Sequence, residues 1–94
     1  MATFLMFGSY SRESTKKISA KRTNDTKKLI EKQGGKLTAG YALLGEKDLV
    51  LIVEMPSTEQ AMKTSVALSQ KLEIGFSTVP AVSIEAFDKL TADL

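Results

Sequence analysis

The chain has 94 residues, 13 basic and 11 acidic, 43% of them apolar, with no cysteine and no histidine. That size and composition fit one small domain, residues 1–94, built on one core. The missing side chains exclude disulfides, thiolate nucleophiles, Cys/His zinc sites, imidazole bases and histidine-ligated haem.

Carboxylate, lysine, arginine, tyrosine and hydroxyl groups remain for any chemistry. The acids are scattered and no Asp/Asn-rich loop gathers them, so neither a metal nor a cofactor is expected. The opening residues lack the basic region and small-residue cleavage pattern of a signal peptide. No apolar run approaches the roughly 20 residues of a membrane span. A cytoplasmic protein without a membrane partner is expected. Charge is uneven: Arg12 to Lys32 holds eight basic residues against Glu13, Asp25 and Glu31, and the rest of the chain is net acidic. Such a segment attracts anions or forms a solvated helix face.

Thr3 to Tyr10 reads as a strand with Phe4 and Met6 on one face and Leu5 and Phe7 on the other, apolar on both sides. Ser11 to Gln33 reads as one helical region, capped by Ser14 or a neighbour and stopped by Gly34-Gly35. On its wheel Ile18, Leu29 and Ile30 share a side, with Arg22 and Thr26 inside the apolar sector. Arg22 therefore either packs its stem on the core with its head at an edge or paired with an acid, or lines a cavity.

Leu37 to Leu44 is a second strand, with Leu37, Ala39, Tyr41 and Leu43 assigned to one face. Gly45-Glu46-Lys47-Asp48 turns it into a third strand, residues 49–55, as an antiparallel hairpin. Leu49-Val50-Leu51-Ile52-Val53 has no polar alternation, which marks a strand covered on both faces. Pro56 ends it, and Ser57-Thr58-Glu59-Gln60 reads as a capping box in which Gln60 reaches back. The helix that follows, to about Glu73, places Ala61, Ser65, Leu68 and Leu72 on its core stripe with Met62 and Val66 beside it. Gly75 to Val82 is a last strand, placed at an edge by Pro80. Ser83 opens a short helix in which Ile84, Phe87, Leu90 and Leu94 share a face.

The order β-α-β-β-α-β plus a C-terminal helix predicts an α+β, ferredoxin-like fold with a four-stranded antiparallel sheet. Its central strands would be the first and third, the two that are apolar on both faces. Two helices cover one face only. The other would be an apolar patch that monomers rarely expose, so a homodimer or larger homo-oligomer formed through that face is expected.

The opening Phe4-Leu5-Met6-Phe7-Gly8-Ser9-Tyr10, the Gly34-Gly35 stop, the hairpin from Tyr41 to Val50 and the closing Thr78-Val79-Pro80-Ala81-Val82 together resemble the GYD domain family. The resemblance spans nearly the whole chain and rests on order and spacing. Gly45 and Asp48 match the family's turn, while Lys47 stands where the namesake tyrosine would be. The resemblance implies a dimeric α+β barrel and, because members largely lack an established activity, says more of fold and assembly than of function.

The candidate ligand-binding residues are Tyr10, Arg22, Tyr41 and Asp48. The two phenols would approach one end of the sheet, and Arg22 beside a tyrosine suits an oxygen-rich small molecule. Each also has a plain structural reading: packing for the tyrosines, a main-chain acceptor in a turn for Asp48. Gly34-Gly35 ends a helix and lacks phosphate-loop spacing. The first strand lacks the glycine and basic context of an RNA-recognition sheet, so no specific nucleic acid is expected. Three functions compete: a non-catalytic small-molecule-binding or structural dimer, a cofactor-independent oxygenase or isomerase of the dimeric α+β barrel type, and an anionic-polymer binder acting through the basic first helix.

Overall fold

The computed structural model describes residues 1–94. The elements run β1 (Ala2–Tyr10), α1 (Arg12–Thr15), α2 (Ala20–Lys32), β2 (Lys36–Ala42), β3 (Leu49–Met55), α3 (Thr58–Leu72), β4 (Ile74–Ala81) and α4 (Ile84–Leu90). The four strands form one antiparallel sheet ordered β2-β3-β1-β4, with β1 and β3 at its centre as their two-sided apolar sequences require. β4 pairs with β1 alone, so Pro80 sits in an edge strand, where its missing N–H is tolerated. This is the ferredoxin-like α+β arrangement.

Alternation along β1 and β3 divides the side chains. Phe4, Met6, Leu51, Val53 and Met55 turn toward the helices and join Ile30, Ala61, Leu68, Leu72 and Ile74 in the core. Leu51 therefore lies on the helix side, and a partner on the other side would meet its neighbours Val50 and Ile52. Leu5, Phe7, Val50 and Ile52 lie on the opposite face, half-buried by their neighbours in the sheet but covered by no helix.

Four local expectations need correction. The first helical region is two helices, because Ser19 adopts extended backbone and caps α2 by accepting from the Arg22 N–H, while Ser11 caps α1 in a reciprocal box with Ser14. In β2 a bulge between Leu37 and Ala39 breaks the alternation: Leu37 pairs with Val53 on the helix side, whereas Ala39 and Tyr41 pair with Ile52 and Val50 on the outer side. In α3, Ser57 caps as expected, but the Gln60 amide donates to the Gln33 carbonyl, a bond that ties the end of α2 to the start of α3. The core stripe of α3 contains Thr64, whose hydroxyl donates to the Gln60 carbonyl, and Met62 and Val66 point to solvent.

Beyond the C-cap of α2, Gln33, the chain turns at Gly34, with φ of +85°. The Gly35 N–H donates to Ile30 O, and a Cβ on Gly35 would lie 2.7 Å from the Glu54 carbonyl oxygen, so the turn passes against β3 only with glycine there. α4, capped by Ser83, makes at most marginal contact with any other element.

Candidate functional site

Where β1 ends, Tyr10 leaves the sheet on its helix side, and the break between α1 and α2 passes over it. Ser19 caps α2 in that break, which sets Arg22 at the edge of the first turn with its head directed back toward the linker. The guanidinium stacks on the Tyr10 ring, 5.1 Å from the ring centroid, and donates through Nη1 to the Ser14 carbonyl oxygen. No carboxylate pairs with it. Of the arrangements open to Arg22 the ion pair is absent, and the half-buried side chain is among those that line a cavity at this edge of the domain.

That cavity measures about 90 Å³. Tyr10, Arg22, Ser19, Thr23 and Thr26 supply its polar lining, and Leu37, Leu49, Leu51, Leu72, Ile74, Phe76 and Ile18 its apolar lining. Two of these depend on features hidden in the sequence. Leu37 enters because the β2 bulge returns it to the helix side, and Leu49 closes over Gly8, where a Cβ would lie 2.5 Å from the Leu49 Cδ2. The threonine hydroxyls are engaged within α2, Thr23 to the Ser19 carbonyl and Thr26 to the Arg22 carbonyl. The remaining guanidinium N–H groups, the Tyr10 hydroxyl and the Ser19 hydroxyl, which accepts from the Arg22 N–H but donates to nothing, are the donors left for a guest. No carboxylate lines the cavity.

Tyr41 and Asp48 are not part of this cluster. Tyr41 stands on the outer face of β2, opposite Val50, because the bulge sends it to the side away from Tyr10. Asp48 accepts from the Tyr10 main-chain N–H at 2.7 Å, its own N–H donates to the Gly8 carbonyl, and its carbonyl accepts from Leu43. Its carboxylate thus fastens the β2–β3 turn to the end of β1, which fixes the backbone from which the Tyr10 ring projects. Of the four candidates the fold brings Tyr10 and Arg22 together, uses Asp48 as their backbone support, and places Tyr41 elsewhere.

A second depression lies between α2 and α3, where Lys28, Lys32 and Lys71 meet over Leu29 and Ala67. Lys21 pairs with Asp25 at 3.2 Å and Lys17 with Glu73 at 3.7 Å, so part of the basic surplus of this region is locally answered. These exposed pairs add little stability.

The family model described as the GYD domain matches residues 4–91. No curated protein matches the sequence. Among solved structures, a leucine response regulatory protein of Mycobacterium tuberculosis superposes with a TM-score of 0.58 at 10% identity, over 87% of this chain and 51% of that one. An AsnC family transcriptional regulator from Agrobacterium tumefaciens gives 0.58 at 15% identity, over 87% and 50%. A hypothetical protein from Pyrococcus horikoshii gives 0.54 at 22% identity, over 88% and 92%. The chain spans about half the length of the two regulators, and at these identities the likeness is one of fold.

Proposed function

Because the chain belongs to the GYD domain family, we propose that its 94 residues act as a single small-molecule-binding domain, paired with a second copy through the outer face of the sheet. The observation that carries the binding role is the Arg22 head, stacked on Tyr10, free of any carboxylate and set among the polar residues that line one part of a mainly apolar cavity. A guanidinium in that setting suits a carboxylate or carbonyl oxygen, and the apolar wall suits a short hydrocarbon body. The volume of about 90 Å³ limits what enters without movement to a few heavy atoms, since a cavity of ~150 Å³ is what accepts benzene. A longer guest would have to displace the linker around Ile18.

Binding without catalysis is favoured by the donor set. The chain has no imidazole or thiol. The nearest carboxylate in the supporting network, Asp48, is taken up by the Tyr10 N–H outside the cavity wall, so proton abstraction from a guest has no evident base. That argument ranks a cofactor-independent oxygenase or isomerase second. The pairing role rests on Leu5, Phe7, Val50 and Ile52, four apolar side chains at the centre of a sheet face that no helix covers. No helix is long and apolar enough to cross a membrane. We place the pair in the cytoplasm, without a specific nucleic-acid partner.

The test is a thermal-shift screen of short aliphatic carboxylic acids, keto acids and amides, run on the natural sequence and on Arg22→Met. A hit that raises Tm in the first and not in the second supports the reading. A panel without a hit, or hits that survive Arg22→Met unchanged, would sink it. Strong salt-sensitive binding of DNA or RNA tighter than about micromolar at physiological salt would move the function to the basic surface of α2.

A further inference from the structure

α4 is a helix whose apolar side has nothing to pack against. Ile84, Phe87 and Leu90 fall on one side of it and are 75%, 49% and 71% exposed, while Glu85 and Asp88 flank them. A seven-residue helix is too short to hold its shape in water on propensity alone, so its stability has to come from burying that side. A second unpartnered apolar group lies elsewhere: Tyr41 is 61% exposed, and Leu44, in the turn beyond Leu43, is fully exposed at 105%.

The strand register shows why neither group can cover the other within one chain. Ala81 of β4 pairs with Thr3, Thr3 with Glu54 and Glu54 with Lys36, so β4 leaves the sheet at the end where β2 begins. The β2–β3 turn lies at the other end, beside Gly8 and Leu49, and β2 and β4 are opposite edges. α4 and the Leu43-Leu44 turn therefore occupy diagonally opposite corners of the sheet. The two remaining corners are poor seats for an apolar helix: one carries Lys36 and Glu54, the other Gly75, Ser9 and Ser77.

We infer that α4 of each copy docks on Tyr41, Leu43 and Leu44 of a second copy. This rests on the pairing of outer sheet faces proposed above. A two-fold axis lying between the two faces, along the diagonal that joins the polar corners, exchanges the apolar ones. It crosses the strands of the two sheets at ~90°, the orthogonal class of sheet packing. Each copy then contributes one α4 and receives one, as an isologous interface requires. Area supports the same occupant. Four strands ~4.8 Å apart and about seven residues long give a sheet footprint of roughly 450 Å². Stable pairs bury ~800 Å² on each partner. The sheet face alone is a modest interface, and the two α4 contacts extend it at both ends. Only two residues separate α4 from β4, so the added surface is tethered to the edge of the sheet.

The chain has no cysteine, which makes the test direct because every thiol is a placed one. Phe87→Cys and Leu44→Cys are made separately and together; both sites are on the surface, so folding is checked by circular dichroism and is expected to hold. Mild oxidation of the double variant, and of a mixture of the two single variants, should give a covalent dimer on a non-reducing gel. In addition, Phe87→Asp should raise the dimer dissociation constant at least ~tenfold, as loss of a buried aromatic anchor does. If Phe87→Cys alone cross-links efficiently, α4 pairs with α4 and the docking is wrong. No cross-link in the mixture, with a dimer still seen by sedimentation, also overturns the docking but leaves sheet pairing in place. A natural sequence that sediments as a monomer removes both.

Discussion

The two faces of the sheet are made from the same kinds of residue and have different fates. On the helix side Val53 and Leu68 are fully buried, and each such side chain is worth ~1.5–3 kcal/mol of transfer free energy. On the outer side Val50 and Ile52, direct neighbours of Leu51 and Val53 in the chain, have only the sheet around them. Composition does not distinguish the faces. What separates them is whether a second layer is present, and only the helix side has one within a single chain.

That contrast is broken most sharply by placing one charge on each side. Val53→Asp should unfold the domain, because Val53 is fully buried away from the cavity and an unpaired carboxylate in the core costs several kcal/mol, of the order of the whole stability of a domain this size. Ile52→Asp, one residue along, should leave circular dichroism and the melting cooperativity intact and convert the dimer to monomer by analytical ultracentrifugation. If Ile52→Asp also unfolds the protein at concentrations where the natural sequence is folded, the two faces are not energetically separable. Next in size, Leu68→Ala on α3 should lose ~2–5 kcal/mol in urea unfolding, as a buried Leu truncation does. Val66→Ala on the exposed side of the same helix should change stability by less than ~0.5 kcal/mol.

A smaller effect sharpens the difference between the cavity end of the sheet and its sealed end. Asp48→Ala removes the acceptor of the Tyr10 N–H, and a loss of ~1–3 kcal/mol is expected for a part-buried donor left unpaired. Asp48→Ala should also weaken any ligand found by the thermal-shift screen, because Tyr10 is held through that bond. An Asp48→Ala variant that keeps full affinity would show that the turn does not support the site. Smallest is Ser19→Ala: loss of the α2 cap should cost ~1 kcal/mol and raise hydrogen exchange across residues 16–22, where the cavity wall is formed.

Strand and helix identity, their order, the central place of β1 and β3, the edge place of β4 and the glycine stop after α2 all follow from the chain itself. They rest on local facts: alternation, a run apolar on both faces, a proline without an N–H, a glycine pair closing a helical pattern. The apolar side of α4 was equally legible in the spacing of Ile84, Phe87 and Leu90, but only the structure showed that nothing in the chain covers it. Three matters were settled only by tertiary structure. The β2 bulge decided that Leu37 lines the cavity and Tyr41 does not, because one extra residue reverses every side chain beyond it and nothing in Leu37-Thr38-Ala39 marks where the extra residue falls. Ser19 divided the first helical region, and that break turned Arg22 from a charge in an apolar stripe into a head stacked on Tyr10. Asp48 found its partner 38 residues away in the chain, and a periodic pattern read along the sequence carries no information about contacts at that separation.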